Sequence, residues 1–319
     1  MNGSTPDAAR LDAVLLIAFG GPERPEDIRP FLASVTRGRP VPPARIEELV
    51  RHYERIGGRS PLRELTFRQA TALETRLRIL GHALPVYVGM RNWPPYLHET
   101  LGQMAAAGLR CALGVILSAQ QTEASWGRYQ ADVNEARRRV GATAPEVRYA
   151  PPWFDRAGFV EAVADRVEDA LAAVPPAARA STPLVFTAHS VPVAMAAASP
   201  YVRQLETVAR LVAARLRHTR WSVAYQSRSG RPEDPWLDPD VGDVIRRLAR
   251  EGVAEAVMVP IGFVCDHVEV LYDLDVEAGA IAADHGLKLR RAGTVGDHPA
   301  FVSMLADLVG EALDGRQPA

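Results

Sequence analysis

Short apolar runs alternate with longer amphipathic stretches along almost the whole chain. Residues 13–19, 112–117, 183–188 and 256–264 are nearly continuous in valine, leucine, isoleucine and alanine. That is the pattern of strands covered on both faces. Residues 85–89, 147–149, 221–226 and 287–290 are shorter strand candidates. Between them, 26–35, 44–55, 60–80, 96–107, 123–140, 158–173, 204–217, 242–251 and 299–313 read as helices. Ser60-Pro61 is a helix start, since serine caps well and proline fits the first turn. Strand and helix alternate throughout, which predicts an α/β protein with doubly wound parallel sheets. The rhythm pauses at 174–180, rich in proline and alanine, and then restarts. The expected division is therefore an N-terminal half, 11–178, and a C-terminal half, 179–319, with a small-molecule cleft between them.

Composition narrows the possibilities. The chain has 319 residues and a formal net charge of −1, so a polyanion partner is not implied and no nucleic acid is expected. The turn Gly20-Gly21-Pro22 after the first strand lacks the G-x-G-x-x-G dinucleotide fingerprint, and no P-loop occurs. The two cysteines, Cys111 and Cys265, lie far apart, which suits a reduced, cytoplasmic protein. No iron–sulfur cluster is expected, because one normally takes four thiolates. Residues 1–10 carry no signal pattern, and the longest apolar runs fall well short of the roughly 20 residues that cross a bilayer. A monomer without a transmembrane segment is expected.

Candidate chemistry sits where strands end. Pro260 and Gly262 close the run at 256–264, and Asp266 is placed to cap a following helix. On that helix Val270, Leu271, Leu274, Ala278 and Ile281 recur at core spacing, while Asp266, Glu269, Asp273 and Glu277 fall in one line. Like charges at this spacing destabilise a helix, so either solvent or a cation should offset them. Clustering should also push at least one of these carboxyls up towards neutrality. His189 ends another strand of the same half, and parallel strands put both ends on one side of the sheet. His189 and Glu269 can therefore meet. Such a pair can ligate a borderline divalent ion or work as an acid–base couple. Ser190 adjoins His189, but no G-x-S-x-G elbow is present to make it a nucleophile.

Six stretches, in order, make the chain resemble ferrochelatases from about residue 13 to 313. They are Leu16 to Pro22, Tyr53 through Gly57 to Leu62, Gly89 to Trp93, Thr187 to Pro192, Tyr225 to Gly230, and Gly262 to Glu269. The coproporphyrin III branch is favoured through Val35 to Arg39 and Tyr272 to Ala278, with protoporphyrin IX as the alternative substrate. The resemblance implies two Rossmann-like halves that hold a porphyrin, and ferrous iron as the other substrate, in haem biosynthesis. It implies His189 and Glu269 as the metal-binding and proton-handling pair, and Asp273 and Glu277 as a relay for protons or hydrated metal. Ser60 and Tyr129 fall where coproporphyrin-type enzymes contact the propionates and ring, with Tyr53, Arg37, Arg91 and Trp93 as further candidates for that pocket. Three positions depart from the pattern. Phe19 replaces a tyrosine that can ligate metal in some members, Thr36 an arginine, and Cys265 a serine. A non-catalytic haem or porphyrin carrier on this scaffold is the rival of another class, and a cobalt or nickel chelatase a further one. Retention of both His189 and Glu269 argues against the carrier, because holding finished haem needs no proton acceptor.

Overall fold

The computed structural model describes residues 11–37, 40–229 and 234–315. Residues 1–10, Gly38, Arg39 and Gly230 lie outside the described residues, so the reading of the N-terminus and parts of two motifs do too. The first half begins with β1 (Ala13–Ala18), α1 (Ile28–Val35), α2 (Pro43–Arg55), α3 (Leu62–Ile79) and β2 (Val86–Met90). It continues with α4 (Leu97–Ala106), β3 (Cys111–Ile116), α5 (Arg128–Val140), β4 (Glu146–Tyr149) and α6 (Ala157–Ala172). The second half has β5 (Leu184–His189), α7 (Val193–Ala197), α8 (Tyr201–Arg215), β6 (Trp221–Gln226), α9 (Val241–Arg250) and β7 (Glu255–Val259). It ends with α10 (Val268–Val270), α11 (Gly279–Asp284), β8 (Lys288–Arg291) and α12 (Pro299–Leu313). A π-helical stretch, Leu271–Ala278, joins α10 to α11.

Two four-stranded parallel sheets result, ordered β2-β1-β3-β4 and β6-β5-β7-β8. Every residue of β1 and β3 is buried, as their unbroken apolar runs require of strands with helices on both faces. Helix α9 shows the complementary pattern, burying Val241, Val244, Ile245 and Leu248 on one stripe. In both sheets the winding reverses between the strand that comes first in sequence and the third, so the switch points are β1/β3 and β5/β7.

Two helices cross between the sheets. Helix α6 packs on α8 and β7 of the second sheet, while the last helix, α12, packs on α3 and α6. Trp153, Phe159 and Phe301 form the aromatic centre of this crossing, with ring centroids 5.2 to 6.1 Å apart. Polar ties reinforce it. Arg68 pairs with Asp297 at 2.8 Å, and Gln69 donates to the Gly296 carbonyl at 2.8 Å. Among the described residues no helix is long and apolar enough to cross a membrane.

The strand expected at 256–264 stops at Val259. Pro260 has no N–H for the ladder, and Ile261, Val264 and Cys265 are buried as a loop instead.

Candidate functional site

Strand β5 is buried up to Ala188 and emerges only at His189. Strand β7 pairs with it in parallel, so the chain leaving β7 starts on the same side as His189. That chain lies flat against β5, with the Gly262 N–H donating to the Thr187 carbonyl at 3.1 Å. A Cβ at position 262 would sit 2.7 Å from Ala188 Cβ, so only glycine permits the approach. The segment from α10 onwards is thereby delivered to the β5/β7 switch point.

There His189 Nε2 lies 3.5 Å from Glu269 Oε1, with 30% and 38% of the two side chains exposed. His189 Nδ1 donates to the Ser190 carbonyl, which can only accept, so Nε2 is the nitrogen left to face Glu269. The Tyr201 hydroxyl donates to the His189 carbonyl at 2.8 Å. The backbone of Glu269 is held at both ends. Its N–H donates to His267 Nδ1 at 3.2 Å, and its carbonyl accepts from Gln226 Nε2.

Asp266 is not the helix cap, nor the first of four aligned acids. The cap is His267, and Asp266 turns towards β8. Its carboxylate accepts from Arg291 at 3.2 and 3.3 Å and from Thr294 Oγ1 at 2.9 Å. A guanidinium on the neighbouring strand outcompetes the free amides of a first helical turn. Three acids remain on the line: Glu269, Asp273 and Glu277.

Their charges are set by neighbours. Burial on its own would lower the His189 imidazole, but the charge and hydrogen bond of Glu269 outweigh it and push it up to about 9. Burial would raise Glu269, but His189 holds it down at about 2. At neutral pH the pair is therefore imidazolium facing carboxylate. Asp273 is pushed up to about 7 by burial, with Glu269 and Glu277 adding to it against a hydrogen bond donated by Ser227. Glu277 is also raised, by burial first and then by Asp240 and Glu48. The repulsion read from the spacing thus appears at Asp273 and Glu277 but is overruled at Glu269, which has a cation beside it. Burial lowers His267, consistent with an Nδ1 that accepts a hydrogen bond.

The first half supplies the surroundings. Tyr53, 4% exposed, packs edge-on to Phe31 in a small cluster that also takes in Trp93 and Val268 from just before Glu269. Burial, then the Glu269 charge, raises the Tyr53 hydroxyl. Tyr129, 7% exposed and pushed up to about 12 by burial, also feels the Glu269 charge. Arg91 lies 4.7 Å over the Tyr129 ring and 5.7 Å over Phe19, and is paired with Asp132. Its charge is thus already matched, and what it does is hold Tyr129. Trp93 packs on Phe31 with centroids 6.1 Å apart. Ser60 is buried against Gly21, its hydroxyl accepting the Leu62 N–H at 3.3 Å as a helix-start contact. Arg37 is exposed and donates to Ser34 Oγ at 2.9 Å. Phe19, 37% exposed, and Val193, 43% exposed, present apolar surface at the ends of β1 and β5. A separate groove of about 1010 Å³ between α3 and the start of α12 contains none of these residues.

Residue spacing missed four participants: Tyr201, Gln226, Ser227 and His267. Gln226 and Ser227 stand at the C-terminal end of β6, beside His189 in register, so the strand-end argument extends to them.

Among the described residues no group of three histidine, cysteine, aspartate or glutamate side chains is close enough to hold a metal ion. The pair offers two donors, and any third must come from what binds there.

The family model described as Ferrochelatase matches residues 11–313. The chain is 43% identical over 310 residues to the coproporphyrin III ferrochelatase of Mycolicibacterium smegmatis, covering 96% of this chain and 91% of that protein. It is 46% identical over 330 residues to that of Frankia alni, covering 100% and 84%. Among solved structures it is similar to SirB from Bacillus subtilis with Fe3+, at a TM-score of 0.60 and 14% identity, covering 95% and 96% of the two chains. It is also similar to CbiX, at a TM-score of 0.52 and 15% identity, covering 94% and 99%. At such identities these two likenesses concern the fold alone.

Proposed function

The chain belongs to the ferrochelatase family, and from that footing we propose that it inserts ferrous iron into coproporphyrin III, giving Fe-coproporphyrin III, in the cytoplasm. One observation carries the assignment of the chemistry: an imidazole nitrogen and a carboxylate oxygen 3.5 Å apart, on two partly exposed side chains, at the switch point of the second sheet.

The reaction asks for this. Two pyrrole N–H protons leave as the dication enters, so the site has to handle iron and protons together. Iron is a substrate, to be held briefly and released. Two donors, His189 Nε2 and Glu269, hold Fe(II) weakly, and the four ring nitrogens outnumber them. Because His189 is protonated beside Glu269, its Nε2 becomes a ligand or a base only after passing a proton on. Asp273, held near neutrality, is suited to take it. Glu277 continues the line towards Glu48 and Arg45 on α2. The macrocycle would lie against Tyr53, Tyr129, Trp93 and Phe19, with Arg91 acting through Tyr129 and with Ser60 and Arg37 towards the propionates. Phe19 has no donor atom, so it gives the product iron no axial ligand.

An absorbance assay with ferrous iron and each porphyrin tests the reading. Coproporphyrin III should be metallated many-fold faster than protoporphyrin IX. Equal rates, or the reverse preference, would overturn the choice of porphyrin.

A further inference from the structure

Along a strand, successive side chains point to opposite faces. At the end of β6 they do not. Gln226 and Ser227 are consecutive, yet both reach the same helical segment: Gln226 Nε2 donates to the Glu269 carbonyl and Ser227 Oγ donates to Asp273 Oδ2. The backbone explains how. Ser227 adopts a left-handed conformation, φ 62°, which breaks the alternation and turns its side chain back beside that of Gln226. A serine in this region is uncommon, and such residues cluster at functional sites. The two contacts are one helical turn apart, and the second falls within the π-helical stretch Leu271–Ala278, a helix form also frequent at such sites.

We propose that Ser227 is a positioning residue for metal insertion: from its left-handed turn it fixes and orients the Asp273 carboxylate, while Gln226 anchors the start of the same helix at Glu269. The assignment rests on the reading that Asp273 relays protons. Among the described residues the ionisable groups acting on Asp273 are Glu269 and Glu277 on its own segment and His189 from β5. Ser227 is the neutral donor to it, from β6, and favours its ionised form.

The test is a double-mutant cycle on the full-length enzyme with Ser227→Gly and Asp273→Asn. Glycine accepts the left-handed backbone, so Ser227→Gly removes the hydroxyl without straining the fold. Ser227→Ala is the second variant, keeping a Cβ. Iron insertion is followed across pH at saturating and limiting coproporphyrin III. Ser227→Gly should lower kcat at pH 7 by on the order of tenfold, the worth of one hydrogen bond to a charged group. KM for the porphyrin should stay unchanged, and the acid limb of the profile should move up by about 1 pH unit. In the Asp273→Asn background, Ser227→Gly should have no further effect. A wild-type profile in both Ser227 variants would overturn the assignment, as would a full independent loss in the Asp273→Asn background. If Asp273→Asn itself left rate and profile unchanged, the relay reading would fall and the positioning role with it. If Asp273→Asn slowed insertion but Ser227→Gly did not, only the positioning role would fall.

Discussion

Glu269→Gln tests the charge state on which the proposed chemistry depends. The substitution keeps the shape of the side chain and removes its charge. Two unit charges 3.5 Å apart attract by about 5 kcal/mol at an effective dielectric of 20, equivalent to more than 3 pH units. The side chains are 30% and 38% exposed, and screening by solvent trims this to roughly 2 units. In the wild type this attraction outweighs burial and holds His189 up at about 9. Without it burial is opposed only by the Ser190 carbonyl and the Asp273 charge, and His189 should titrate roughly 2 pH units lower than in the wild type. Heteronuclear NMR of the imidazole nitrogens, assigned by comparison with His189→Ala, would follow it directly. Near pH 8 the His189 ring should be mostly charged in the wild type and mostly neutral in Glu269→Gln. Iron insertion should be far slower in the variant, while porphyrin binding changes little. A His189 that titrates at the same pH in both proteins would refute the electrostatic argument, whatever happened to the rate.

His189→Ala should abolish insertion while the enzyme still binds porphyrin, as read from quenching of tryptophan fluorescence; near-normal turnover would remove His189 from the chemistry. Asp273→Asn should slow insertion and yet stabilise the fold at pH 8. The folded-state value of Asp273 is raised from 3.8 to about 7, so the stability it contributes is fully present below 3.8 and is lost as pH rises to 7. That loss is at most about 4 kcal/mol and roughly 2 after screening, so Asn should raise Tm by about 3 °C at pH 8 and leave it unchanged near pH 3.5. Arg91→Ala removes a cation from above two rings and leaves Asp132 unpaired, which should cost about 2 kcal/mol in urea denaturation and loosen porphyrin binding through Tyr129. By hydrogen exchange, α1 and α2, whose core is the small cluster around Phe31 and Tyr53, should open more readily than α6 and α12 in the main core; equal protection would count against this ranking.

The order of strands and helices was legible because each obeys its period. The period of 299–313 predicts the last helix with the bounds it has. Periodicity failed where the chain is buried but irregular. An apolar run such as 256–264 looks like one strand, although Pro260 ends the ladder and the rest packs as loop. Helix α7 shows no period because it is only five residues long after its cap at Pro192. The π-helical stretches at Glu123–Gly127 and Leu271–Ala278 share their residue types with α-helices, so composition does not announce them. At the site, strand-end logic brought His189 and Glu269 together. It could not reveal that Arg291 takes Asp266 out of the acidic line, or that Arg91 is spent on Asp132 and Tyr129. Those pairings join segments far apart in sequence, and only the folded chain makes them neighbours.

The crossing of α6 and α12 bears on how such a site stays assembled. Two α/β halves joined by a linker would ordinarily be free to move against each other. Here one apolar core runs from β1 and β3 through Trp153, Phe159 and Phe301 to β5 and β7. Gln121 and Gln204 exchange two hydrogen bonds across it, at 2.8 and 2.9 Å, and Arg156 grips Glu311 at 2.7 Å. Hinge opening would have to break all of these together. Tyr53 and Tyr129 on the first half are therefore held in fixed relation to Glu269 on the second. That matters if, as proposed, the pair meets iron with only two donors. A loose site would need more ligands to find its ion and would then bind it too firmly to give it up. On the function proposed above, a rigid one could make do with His189 and Glu269, because a macrocycle bound against the same walls would bring the remaining nitrogens.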